Sequence, residues 1–298
     1  NRWATAVGDR IAIFTNNDDA YRTAHDLHQL GVEIAAVIDS RPEAPKSNSF
    51  EVLSASEVVN THGRLGLNSI DVKTPQGLRQ IQVSGLGVSG GWNPNIHLTC
   101  HQRGRPQWDA ALSAFIPSAE LPEGLHVAGA ANGQMTTAAA IDDAVKKAAK
   151  ITKGFGRKPT MLTKLKISDE STSITPFWYV TGTERGWVDQ QNDVTVKDIK
   201  LAHQENFRSV EHLKRYTTLG MATDQGKTSN VLGLAIMAHT AGQSIPDTGT
   251  TIYRPPYSPS AIGVFAGRSR DMDFRPIRKT PSHKWAEEQG AVFVEVGM

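Results

Sequence analysis

Two short apolar runs on either side of an amphipathic stretch constrain this chain more than any other feature. Asp9 to Thr15 and Val32 to Asp39 each have strand length, and Asp18 to Leu30 between them carries Ala20, Ala24, Leu27 and His28 at helical spacing. Gly31 supplies the helix stop. Strand, helix and strand within about 30 residues form one right-handed crossover of a parallel sheet, the half-motif of a nucleotide-binding fold. The turn between them argues against a nucleotide. A pyrophosphate needs bare backbone at the helix start, whereas this chain has Thr15-Asn16-Asn17-Asp18-Asp19, with side chains and two carboxylates in the way. The crossover therefore reads as scaffold, with Asp18 or Asp19 capping the helix and Asp39 solvated at the end of the second strand.

From Phe50 to Val88 the pattern is strand-like, with Glu57–His62, Leu67–Thr74 and Arg79–Val83 around a turn at Thr74-Pro75-Gln76-Gly77, and it predicts an antiparallel excursion. Ser89-Gly90-Gly91-Trp92-Asn93-Pro94 reads as a crossover out of this module, because paired glycines free the backbone and Pro94 stops a ladder. Further on, Leu125 to Gly133 runs from an apolar strand into small residues, and Thr136 to Lys150 is an Ala-rich helix. Small residues let backbone approach a cofactor, and a helix start offers N–H groups to an anion or carbonyl.

Charge excludes some classes of partner. Lys and Arg total 32 against 30 acidic residues, and a net charge of +2 gives no footprint for nucleic acid or an anionic membrane. The one cysteine, Cys100, cannot make an intrachain disulfide, and with His97, His101 and His126 it forms no spaced metal set. A reducing cytoplasm is the expected location. The start at Asn1 and the strand-like end Val292–Met298 read as those of a fragment of a longer chain.

Ser89 to Asn95 and Val127-Ala128-Gly129-Ala130-Ala131-Asn132-Gly133 resemble the alpha subunits of heterotetrameric sarcosine oxidases. The resemblance implies an α/β fold: parts of a glutathione-reductase-like dinucleotide-binding domain followed by a small helical domain. It implies that Gly129, Ala130, Met135 and Thr137 face NAD, with the main glycine turn of that site upstream of Asn1.

The helical segment opens at Val194, with Thr195 and Asp198 spaced as a capping-box variant; Ser209 caps a second helix, and a third follows Thr228-Ser229-Asn230. Lys214 to Lys227 resembles the domain that binds a two-iron cluster through four cysteines in many amino-acid dehydrogenase subunits. At the matching places stand Asp189, Gln191, Asp224 and Ser229, and without thiolates no such cluster is held. The resemblance makes Thr217, Thr218, Lys227 and Thr228 the alpha-side wall of an FMN shared with the beta subunit; a solvated basic face is the plainer alternative. Pro176 to Val180 reads as a buried aromatic anchor and Tyr253 to Pro259 as a proline-stiffened arm. Thr280–His283 and Gly290–Glu295 resemble the opening of a folate-binding aminomethyltransferase domain.

The expected organisation is 1–88, an inserted Rossmann-like module; 89–154, the end of the NAD domain; 155–186, a linker; 187–250, the cysteine-free helical domain; 251–275, a linker; and 276–298, the start of the folate domain. By resemblance the whole complex, with beta, gamma and delta subunits, oxidises a small-molecule amine, sarcosine, on FAD held by beta. Its products are glycine, hydrogen peroxide and, with tetrahydrofolate, methylenetetrahydrofolate. No residue here is expected to be catalytic or to bind metal. The alternatives are a dehydrogenase subunit for dimethylglycine, another N-methyl amino acid or proline, or a scaffold with no nucleotide.

Overall fold

The computed structural model describes residues 7–160, 167, 170–182, 185–253, 258, 260–270, 273 and 277–294. The predicted crossover is present: β1 (Arg10–Thr15), α1 (Asp19–Gln29) and β2 (Glu33–Asp39), with β2 parallel to β1. Two further parallel strands, β3 (Val52–Leu53) and β7 (Gly85–Ser89), complete a sheet of order β3-β2-β1-β7. Alternation along the strands feeds two cores. Ile11, Ile13, Ile34 and Val37 pack on Ala20, Tyr21 and Ala24 of α1, while Ala12, Ala36 and Ile38 face a second sheet. That sheet is the predicted excursion, β4 (Glu57–His62), β5 (Ser69–Thr74) and β6 (Gly77–Gln82), antiparallel throughout. Thr74 pairs with Gly77 across the two-residue loop Pro75-Gln76, and the Thr74 hydroxyl donates to Gly77 O at 2.9 Å. Ile38 and Ile70 are fully buried between the layers, so truncating either to Ala costs about 2–5 kcal/mol.

Asp39 differs from expectation. It is not solvated but fully buried, accepting from Tyr21 Oη at 2.8 Å and paired with Arg41 Nη2 at 2.7 Å. A guanidinium only two residues along folds back and neutralises it, a pairing that strand periodicity does not show. Burial, followed by the hydrogen bond to Asp39, pushes the Tyr21 hydroxyl well above the ordinary range. Asp18 stands at the N-cap position of α1 without making a side-chain cap bond; it pairs instead with Arg41 Nη1 at 2.7 Å.

Past β7 the chain forms a small antiparallel hairpin, β8 (Gln107–Asp109) and β9 (Ala114–Ile116), which the sequence reading lacked. Its turn is closed by Asp109 Oδ1, which accepts from the N–H groups of Ala111 and Leu112. The expected strand at 125–128 is corrected: among the described residues it joins no ladder, since apolar alternation extends a backbone but only a neighbouring strand makes it a sheet member. A 3₁₀ turn, Gly129–Asn132, then leads to α2 (Thr137–Gly154), capped by Thr136.

The helical part follows β10 (Trp187–Asp189) and β11 (Val194–Thr195) and comprises α3 (Val196–Gln204), α4 (Val210–Thr217), α5 (Asn230–Ala241) and α6 (Ile245–Thr248). The capping box of Thr195 and Asp198 closes in both directions, and Ser209 caps α4. Ile199, Ala202, Leu213, Leu219, Ile236 and Met237 form its core, against which Trp178 and Tyr179 pack as the predicted anchor. The chain separates into two compact units, Asn1–Tyr257 and Ser258–Met298. The second contains α7 (Ile262–Ala266) and α8 (His283–Glu288), and the rings of His283 and Phe293 lie 4.0 Å apart. Residues 291–294 form no strand, and residues 295–298 of the expected strand lie outside the described residues, as do 254–257 and 259 of the proline arm.

Candidate cofactor-facing sites

The turn that precedes α2 brings Ala130 and Met135 onto the wall of a cavity of about 280 Å3, together with Asp18, Asp19, Trp92, Leu112 and the segment Glu170–Ile174. Ala130 is exposed there, so its small side chain leaves backbone open to a ligand. Gly129 has φ +69°, a left-handed value suited to glycine. The donors at this turn are, however, already engaged. Gly129 N–H donates to Asp143 Oδ2 at 3.0 Å, and Thr137 donates from N–H at 2.8 Å and from its hydroxyl at 2.6 Å to Glu170 Oε1. The Thr137 hydroxyl, and then backbone N–H groups, hold the half-buried Glu170 carboxyl below the usual range. The expectation of an open helix start is therefore corrected: Thr137 is next to the cavity region but spends its donors on the chain's own carboxylate. The lining carries Asp18, Asp19 and Glu170 together with Arg22, and Asp18 and Asp19 are paired with Arg41 and Arg22, so among the described residues the wall offers hydroxyls and amides a polar surface but presents no unpaired cluster of donors to a diphosphate.

A second arrangement sits in the helical part. Of the four positions named from the sequence, Asp189, Gln191 and Ser229 are joined across β10 and the loop from α4 to α5, while Asp224 bonds within that loop. Asp189, 3% exposed, accepts from Gly220 N–H at 2.8 Å and Ser229 Oγ at 3.5 Å on one oxygen, and from Gln191 N–H at 2.9 Å and Asn192 N–H at 3.3 Å on the other. Thr223 Oγ1 donates to Gln191 Oε1 at 3.3 Å, and Thr228 Oγ1 to Asp224 Oδ2 at 3.1 Å. A hydrogen-bonded carboxylate thus ties β10 to the loop between α4 and α5. Sequence reading found the positions but not that Asp189 would be the hub.

The four residues proposed for a flavin are divided by the fold. Thr228 is exposed on a larger cavity of about 740 Å3, walled by Phe14, Phe177, Trp178, Tyr179 and Trp187, with the Arg185 guanidinium 5.9 Å from the Trp187 ring centre. Thr217 ends α4 and donates to Leu213 O at 2.8 Å; Thr218 follows in a left-handed conformation, φ +63°. Lys227 is half-buried, one residue before Thr228. Nearby, His97 stacks on Tyr253 at 3.6 Å and is buried; desolvation and the charge of Lys227 lower it to about 4, and burial raises Tyr253 to about 12. No described helix is long and apolar enough to cross a membrane.

Residues 183–268, which hold the Asp189 hub, match the sarcosine oxidase A3 domain. The whole chain aligns at 39% identity with sarcosine oxidase subunit alpha of Rhizobium meliloti, covering 31% of it, and at 34% with that of a Corynebacterium species, covering 33%. Among solved structures, L-proline dehydrogenase from P. horikoshii superposes with TM-score 0.69 at 16% identity over 89% of this chain and 51% of that one, a likeness of fold alone. The chain spans about a third of the curated relatives it matches, and along all of its length it is similar to sarcosine oxidase subunit alpha.

Proposed function

We propose that this chain is the cofactor-positioning part of a sarcosine oxidase alpha subunit that acts with beta, gamma and delta subunits in the cytoplasm. The full-length likeness to such subunits carries this reading. The proposed reaction of the complex is oxidation of the N-methyl group of sarcosine by oxygen, giving glycine, hydrogen peroxide and, with tetrahydrofolate, methylenetetrahydrofolate. Held by beta, FAD would supply the acceptor for the amine's electrons, and FMN at the junction of alpha and beta, bordered on this side by Thr217, Thr218, Lys227 and Thr228, would supply the route to oxygen. The chain's own residues orient and shield; none is assigned as a base.

For NAD, Ala130 and Met135 supply an uncrowded wall, and Glu170, held there by Thr137, is the carboxylate proposed to accept from ribose hydroxyls or an amide, since the Asp18 and Asp19 oxygens already accept from Arg41, Ser171, Arg22 and Trp92. The diphosphate does not fit this wall, because Gly129 and Thr137 already donate to carboxylates. The nucleoside portion is thus the part proposed to lie here. For FMN, Thr228 borders an aromatic-walled cavity suited to a planar ring system, while Thr217 ends α4 and Thr218 and Lys227 belong to the loop that follows. The segment 276–298 is proposed as the opening of the folate-binding domain, with 1–88, 89–154 and 187–250 as the inserted module, the end of the NAD domain and the helical domain.

A nucleotide-free scaffold is the second reading, favoured by those same engaged donors. Cofactors released from the intact complex separate the two. NAD should be recovered near stoichiometry, and Thr137→Leu, which removes the hydroxyl that holds Glu170 at the cavity wall, should lower its occupancy about tenfold without unfolding, the scale of one displaced hydrogen bond. No NAD from the parent complex favours the scaffold, and undiminished NAD in the variant removes Thr137 from the site.

A further inference from the structure

The carboxyl end of β1 is where an open parallel sheet normally receives a ligand. Here the turn is filled by its own side chains: Thr15 Oγ1 and Asn17 Nδ2 donate to Ser89 O at 3.1 and 2.8 Å, and Asp19 N–H donates to Asn17 Oδ1 at 3.0 Å. A distant segment then lies across it. Asn17 and Ile174 form an antiparallel bridge. Thr175 N–H donates to Asn16 O at 3.0 Å, Asn16 Nδ2 to Thr175 O at 2.9 Å, and Asp18 N–H, at the start of α1, to Ser173 O at 3.2 Å. Ser171 donates to Asp18, and Arg41 Nη1 reaches both Asp18 Oδ1 at 2.7 Å and Ser173 O at 3.4 Å. The Arg41 side chain is only 7% exposed. Gly91 approaches so closely that a Cβ there would lie 2.4 Å from Ile174 Cδ1.

We propose that this crevice is an internal receptor for the chain's own segment 170–175, with Arg41 as its positioning residue, and that it takes no nucleotide. The backbone carbonyl of Ser173 and the bridge at Ile174 stand where a phosphate would be cradled, and Asp18 with Asp39 supplies the negative charge that holds the guanidinium in place. The clamp has a consequence beyond the module. Residues 170–174 are one wall of the cavity that Ala130 and Met135 line, so Arg41 sets that wall from the far side of the segment. This inference stands whether or not the cavity binds NAD.

The test is amide hydrogen exchange on the intact protein carrying Arg41→Met, Arg41→Lys or Thr175→Pro. The last variant removes one strap donor at an exposed position and leaves buried Arg41 untouched, so it is decisive if Arg41→Met fails to fold. Loss of a strap bond should speed exchange at Asp18, and in the Arg41 variants also at Thr175, about tenfold or more, with Ile13 and Val37 in the sheet changed less than about twofold. Arg41→Lys, which keeps charge without the fork, should fall between parent and Arg41→Met. Unchanged strap exchange in Thr175→Pro overturns the clamp. AMP and inorganic pyrophosphate at millimolar concentration should leave strap exchange unaltered in the parent protein; displacement of the strap by either overturns the receptor assignment in favour of a nucleotide crevice.

Discussion

Replacing Asp189 by Ala removes the centre of the hydrogen-bonded hub in the helical part. The carboxylate makes two short bonds, to Gly220 N–H at 2.8 Å and Gln191 N–H at 2.9 Å, and two longer ones, to Asn192 N–H at 3.3 Å and Ser229 Oγ at 3.5 Å. Bonds to a charged acceptor contribute about 1.5–3 kcal/mol each, and a buried donor left without an acceptor costs about 1–3 kcal/mol. The Gly220 bond is buried, whereas the Gln191 bond is partly solvated, so the two weigh unequally and the losses do not simply add. The expected destabilisation is about 3–5 kcal/mol. Asp189→Asn keeps one acceptor oxygen and should lose roughly half as much. Urea unfolding followed by tryptophan fluorescence reports on this core directly, because Trp178 packs on it and Trp187 precedes the hub in β10. With a slope of about 2 kcal/mol/M the midpoint for Asp189→Ala should fall by about 2 M. A loss under about 1 kcal/mol, or an Asn variant as damaged as the Ala one, would refute the view that this carboxylate holds the loops together.

Two other outcomes follow from close contacts and burial. Gly226→Ala should be far more destabilising than Gly31→Ala: both have positive φ, +74° and +85°, but a Cβ at 226 would lie 2.2 Å from Asn230 Cγ whereas one at 31 meets nothing within 4 Å. Thermal unfolding should separate the left-handed penalty of about 1–2 kcal/mol at Gly31 from a clearly larger loss at Gly226, and equal losses would contradict the packing described. His97 should make stability fall in mild acid. Its folded-state value is lowered from 6.5 to about 4 by burial and then by Lys227, so the unfolded chain takes up the proton first. Stability is then complete above about pH 6.5 and declines as pH falls toward 4, by at most about 3 kcal/mol. Urea midpoints measured across that range should show the slope in the parent and lose it in His97→Phe; an identical slope in both would exclude His97 as its source.

Local pattern determined the elements whose causes are local. The crossover of β1, α1 and β2, the hairpin around Pro75-Gln76, the capping box at Thr195 and Asp198 and the cap at Ser209 all depend on residues a few positions apart, so side-chain periodicity and cap chemistry suffice to read them. Composition was enough to deny a thiolate cluster, because the chain holds one cysteine. Motif order also pointed to the sarcosine oxidase alpha subunits before any fold was in view.

Tertiary structure decided everything that joins distant residues. Asp39 became buried rather than solvated because Arg41 folds back onto it and Tyr21 donates from α1. The N–H groups of Gly129 and Thr137 met Asp143 and Glu170, 14 and 33 residues away, a pairing that no spacing announces. The strand read at 125–128 lacks a ladder among the described residues, since a sheet needs a neighbour as well as alternation. Periodicity reports which face a residue takes; which carboxylate neutralises which donor depends on the path of the chain between them, and that is settled only when the whole fold packs.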